Sequence, residues 1–169
     1  METTRAGLTS TRAVFAILAA VLFFGKSPEV RCETARESAG RDIVVVVNKL
    51  NPVETLSDKE LANIFLGKKS VWSAGTPIVT CDLVEPGMDE KNTAMALFAE
   101  KFLHKDMVSL KSYWIKMIFS ARRRPPLALG HPEDVIRFVS ENRGGIGYVY
   151  AGQATEEVKV VRVRPSGDR

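Results

Sequence analysis

Three groups of residues carry side chains with which this chain could do chemistry. Lys91, Asn92 and Thr93 set a cation, an amide and a hydroxyl side by side, and Arg122-Arg123-Arg124 is a compact basic run. The arginine run suits a local contact with an anion, because charge supplies attraction and N–H donors supply direction. Asp82 with Glu85 forms a carboxylate pair of the kind used in general acid–base catalysis, although solvation in a loop accounts for them as well. Each donor set also has a plain structural reading: the arginines as a solvated loop before Pro125-Pro126, and Thr93 as a helix cap. The two histidines, His104 and His131, read as a helix-end residue and as a cap before Pro132. No Ser/His/Asp set, Cys/His pair or phosphate-cradling glycine loop is visible, and no Cys/His spacing suggests a metal. The expectation is a binding or interaction protein without cofactor or metal, not an enzyme.

The elements that must position these groups fit in one domain. The chain has 169 residues, 45% hydrophobic and 26% charged, so a core of ordinary size can form without staples. Its formal charge of +4 comes partly from the N-terminal segment, where Arg5, Arg12, Lys26 and Arg31 outnumber Glu2 and Glu29. The remainder is mildly basic and lacks the interleaved aromatics of a nucleic-acid binder.

Arg5 and Arg12 precede the apolar run from Ala13 to Phe24, which Gly25 and Lys26 end. The run is short against the roughly 20 residues of a membrane span and suits a secretory signal. An uncleaved anchor helix is the alternative. The division expected is a signal or hydrophobic segment over 1–32, a linker over 33–41, a globular domain over 42–164 and a tail over 165–169. Export, normally to the periplasm, follows from that division. Cys32 and Cys81 could pair in an oxidising compartment, but Cys81 in a strand reads better as a free, buried, structural residue.

Within the domain, Ile43 to Val47 is a β-branched run suited to a strand covered on both faces. Ser57 and Glu60 make a capping box, Leu56 and Leu61 a staple, and Leu61, Ile64 and Phe65 one helical face that Gly67 ends. Pro77 to Leu83 reads as a second strand. Ala94, Leu97, Phe98 and Phe102, and then Leu110, Trp114, Met117 and Ile118 after Asp106, repeat the helical spacing. Pro132, Glu133 and Asp134 open another helix with Val135, Ile136 and Val139 facing inward. Gly144-Gly145 leads into the strand Ile146–Tyr150, and Val158–Val163 alternates weakly, as an edge strand would. The order β-α-β-α-α-α-β-β describes an α/β domain.

Several of these segments together resemble a family. Val47-Asn48-Lys49-Leu50-Asn51-Pro52-Val53 with Leu56-Ser57 is similar to the crossover segment of phosphate-type periplasmic binding proteins. Leu61 to Lys68 with Trp72 resembles their "IF-x-GK…W" stretch, and Gly144 to Val149 their "GAIGYV" return strand. Trp114, Ile118-Phe119 and Arg124-Pro125-Pro126 resemble a pattern of short stand-alone relatives. The chain is thereby identified as similar to the substrate-binding component of phosphate ABC transporters over Ile43 to Val149.

That resemblance implies a type II periplasmic-binding-protein-like lobe, a mixed sheet flanked by helices, without the opening lobe and its phosphate loop. It implies phosphate or a related oxyanion as ligand, held by N–H groups and hydroxyls at a helix N-terminus, where Thr93 with Asn92 and Lys91 is the remnant that could donate. It also implies an ABC permease or another periplasmic protein as partner, with a homodimer as a way to complete the half cleft. Nucleic acid is not an expected partner. The sequence departs from the family where the site should be. Asp82 stands at the position of the family's arginine, and no Ser-Gly-Thr precedes the helix near Thr93, so Asp82, Glu85, Asp89 and Glu90 would repel a dianion. The alternative that follows is a protein-interaction or sensory module that has lost its ligand.

Overall fold

The computed structural model describes residues 41–120 and 123–166. The expected signal segment, most of the linker, Cys32, Arg122 and the last residues of the tail lie outside the described residues. Six strands form one mixed sheet in the order β2-β6-β1-β5-β3-β4. They are β1 (Ile43–Asn48), β2 (Thr55–Ser57), β3 (Val79–Leu83), β4 (Leu127–Leu129), β5 (Gly145–Tyr150) and β6 (Val158–Arg164). β1 runs antiparallel to both neighbours, β5 and β6, whereas β3 is parallel to β5 and to β4. The helices are α1 (Asp58–Phe65), α2 (Ala94–Phe98), α3 (Met107–Phe119) and α4 (Pro132–Glu141). α2 runs on through a π-turn, Ala99–Leu103, to His104, whose left-handed φ of 51° closes it.

The β-branched run of β1 sits at the centre, with Val45, Val46 and Val47 buried, as a strand covered on both faces requires. Two strands were not legible, Thr55–Ser57 and Leu127–Leu129, each three residues long. Their recognition corrects the β-α-β-α-α-α-β-β order, and it moves β6 from an edge to the interior, since β2 pairs with its outer side. β4 follows Pro125-Pro126 and takes the outer place, where prolines before a strand cost no ladder bond. β3 begins at Val79, two residues later than expected; Pro77 makes an isolated bridge to Val71 instead.

Side-chain alternation along β3 and β5 divides the core into two layers. On one face Tyr148 is fully buried, stacks on Phe98 with ring centroids 4.0 Å apart and touches Phe65, both also buried. On the other face Gly147 leaves room for α4: a Cβ there would stand 2.7 Å from Cys81 Sγ and 2.9 Å from Val135 Cγ1. The Asn48 amide donates to the carbonyls of Val139 and Ser140 near the end of α4, which ties that helix to β1.

The three motifs of the resemblance meet in this framework. Ser57 accepts from the Glu60 N–H as an N-cap should, while the Glu60 carboxyl pairs with Lys69 rather than returning to the cap. Trp72 is buried and its Nε1 donates to the Gly144 carbonyl at 3.1 Å, locking the loop after α1 onto the turn before β5. At Gly144 a Cβ would lie 1.8 Å from the Pro77 carbonyl oxygen, so only glycine fits there.

Candidate functional site

The sheet gathers one set of ends in one place. Ile43 at the start of β1 pairs with Tyr150 at the end of β5, and Leu83 at the end of β3 pairs with Leu129 at the end of β4. Carboxyl ends of neighbouring parallel strands are where α/β sheets bind ligands, because helix N-termini and loops converge there. The Glu85 carboxyl joins this end to the start of α2. Its Oε2 accepts from the Ala94 N–H at 2.8 Å and from the Tyr150 hydroxyl at 3.1 Å. Burial, and then the charge of Glu85, push the Tyr150 hydroxyl up to about 12.

Lys91, Asn92 and Thr93 lie beside this contact, in a 3₁₀ turn (Glu90–Asn92) and at the N-cap of α2. Apart from the Lys91 ammonium, their donors are engaged within the loop. The Lys91 N–H donates to Asp89 Oδ1 at 3.4 Å, and the Asn92 amide to Asp89 Oδ2 at 2.9 Å. The Thr93 hydroxyl donates to the Glu90 carbonyl at 3.1 Å and accepts from the Ala96 N–H at 3.2 Å, the geometry of a cap. The Lys91 side chain is exposed.

Arg123 and Arg124 do not join them. Arg123 is half-buried elsewhere: its Nη1 donates to the Tyr113 hydroxyl at 3.0 Å, Tyr113 donates to the Leu66 carbonyl at 2.7 Å, and its stem packs over Gly67. Arg124 is exposed. The two donor sets therefore have separate partners, one at the head of α2 and one between α1 and α3.

Asp82 corrects the reading of a solvated loop residue. It lies within β3, is 8% exposed, and its Oδ1 accepts from the Tyr148 hydroxyl at 3.2 Å. Tyr148 brings its hydroxyl into the core with its ring, and Asp82 is the partner that a buried donor needs. Burial pushes the Asp82 carboxyl from its ordinary 3.8 up to about 7, with the Tyr148 bond working in the opposite direction. The neighbouring Cys81 thiol, free and buried, is pushed up to about 12 by burial and by Asp82. Asp82 and Glu85 have different hydrogen-bond partners, Tyr148 for the first and Ala94 N–H with Tyr150 for the second. His131 stands at the N-cap of α4 without a side-chain cap bond.

Next to Tyr150 lies a shallow depression lined by Arg41, Asp42, Ile43, Leu97, Glu100 and Lys101. Its cations and carboxylates are mixed, so it presents no concentrated positive field to an anion.

No family model matches the chain, and no curated protein does. Solved structures do. An ABC-type phosphate transport receptor from Vibrio cholerae matches with a TM-score of 0.52 at 17% identity, over 72% of this chain and 45% of the receptor. A Clostridium perfringens structure, described as a phosphate ABC transporter substrate-binding protein with bound phosphate, matches with 0.53 at 19%, over 72% and 44%. This chain has the fold of part of such a protein. It spans less than half the length of these binding proteins, as the resemblance to a short version implied, and its α/β lobe with a mixed sheet is theirs. The Glu85 contact had no signal in the sequence: its partners lie 9 and 65 residues away, at spacings that no local pattern links.

Proposed function

We propose that this chain is an exported protein of the binding-protein fold that acts by contact with another macromolecule, having lost the capture of free oxyanions. One observation carries the reading: the Glu85 carboxyl accepts from the Ala94 N–H and the Tyr150 hydroxyl at the head of α2. The resemblance places an oxyanion's donors at that helix start, and here an internal acceptor takes them. Asp89 accepts from the Lys91 backbone N–H and the Asn92 amide in the same way. A phosphate would have to displace Glu85 and then stand against Glu85 and Asp89, while Lys111, which reaches this loop, is paired with Glu90.

Export rests on the apolar run Ala13 to Phe24 with its preceding arginines. No helix among the described residues is long and apolar enough to cross a membrane. A partner of the permease type, or another periplasmic protein, fits the fold.

The second reading is phosphate binding, and what favours it is the likeness to a structure holding phosphate. On that reading a second copy of the chain or a permease supplies the missing wall, since a lone lobe leaves its ligand in water and its hydrogen bonds weak. Calorimetric titration of phosphate, sulfate and molybdate into the full chain separates the two. The expected result is no heat from any of them with the wild type. Selective micromolar binding of phosphate, weakened by Thr93→Ala or by replacing Arg123 and Arg124 with Gln, would sink the first reading in favour of the second.

A further inference from the structure

One helix carries an outward face that the fold does not use. Along α3, Leu110, Trp114 and Met117 enter the core, while Val108, Ile115, Ile118 and Phe119 are 74%, 56%, 53% and 87% exposed. Ile115, Ile118 and Phe119 adjoin at helical spacing, and Val108 lies two turns earlier on the same side, with Lys111 and Ser112 on the turn between. Scattered exposed apolar residues are ordinary, but adjoining ones on one helix face mark a contact surface.

The charge around this face indicates what it meets. The only charged side chains on α3 itself are Lys111 and Lys116, with Asp106 at its N-cap. Helical periodicity sets Lys111 within this face and Lys116 beside it, and both are exposed. Lys111 pairs with Glu90, and no carboxylate belongs to α3 itself.

From this we infer that the outer face of α3 is a docking surface for an anionic lipid bilayer. A helix with an apolar face bordered by lysines lies in the plane of such an interface: the apolar side chains enter the acyl boundary and the ammonium groups reach the phosphates. A second copy of the chain fits less well, because pairing two such faces sets lysine against lysine. The surface is a ridge on a single helix and requires of its partner only apolar depth and negative charge, which a bilayer offers in every direction. The inference stands apart from the Glu85 contact and holds whether or not an oxyanion binds there.

The test is co-sedimentation of the full chain with vesicles of pure phosphatidylcholine or of an equimolar mixture with phosphatidylglycerol, at low and high salt. The I115S/F119S and K111Q/K116Q variants are compared with the wild type. All three keep the Ala13–Phe24 run, so any binding by that segment is common to them. The expected result is a preference for the anionic vesicles of about tenfold or more. Either variant, or high salt, should remove most of it, with far-UV circular dichroism unchanged. Equal binding to both vesicle types, or an undiminished preference in both variants, would overturn the inference. So would binding to an acidic amphipathic peptide in the absence of vesicle binding, which would assign the face to a protein partner.

Discussion

Replacing Asp82 with Asn should change the pH dependence of stability more than any other single substitution near the candidate site. Asp82 is buried in β3 and its carboxyl is pushed from 3.8 to about 7 by desolvation. Below pH 3.8 the group is protonated in both folded and unfolded chains and contributes no pH dependence. Between 3.8 and about 7 the unfolded chain releases a proton that the folded chain keeps, so stability falls as pH rises. Above 7 the folded state carries a buried charge, and the accumulated loss is about 4 kcal/mol at about 1.4 kcal/mol per pH unit. Asn cannot ionise, yet its amide oxygen can still accept from the Tyr148 hydroxyl. Urea unfolding followed through the buried Trp72 and Trp114 at intervals from pH 4 to 8.5 measures the difference. The two proteins should be nearly equal at pH 4, and the variant should be the more stable by several kcal/mol at pH 8. Cys81 and Tyr148 do not interfere, because burial moves both upward and out of this range. Parallel stability curves for the two proteins would show that Asp82 titrates as a solvated carboxylate, and the argument from burial would be refuted.

Gly147→Ala forces a methyl group into Cys81 Sγ and Val135 Cγ1, and it should cost about 3 kcal/mol as overpacking between β5 and α4; a melting temperature within a degree of wild type would contradict it. The Cys81 thiol, buried and pushed up to about 12, should label with a thiol reagent at pH 8 only as fast as the protein unfolds. Mass spectrometry of the Cys81 peptide reads this directly, and rapid labelling of the folded protein would show an accessible thiolate.

Much of the architecture could be read before any coordinates, and for physical reasons. β1, α1, α3, α4 and β5 carry their own signals, because the hydrophobic period, the caps at Ser57 and Asp106 and the breaks at Gly67 and Gly144 act within a few residues. The short strands Thr55–Ser57 and Leu127–Leu129 carry no such signal: three residues hold too little periodicity, and each is a strand only because β6 or β3 lies alongside. The same holds for the place of β6 inside the sheet.

Sequence alone established the run of carboxylates from Asp82 to Glu90 in place of the donors that the resemblance led one to expect there. The roles of those carboxylates were decided by tertiary structure. Asp82 is the buried partner of Tyr148, brought opposite it by the pairing of β3 with β5, and Glu85 is the acceptor at the head of α2, reached across the sheet's end from Tyr150. A side chain's type fixes which bonds it can make; which of those bonds it makes depends on neighbours that only the folded sheet brings within hydrogen-bonding distance.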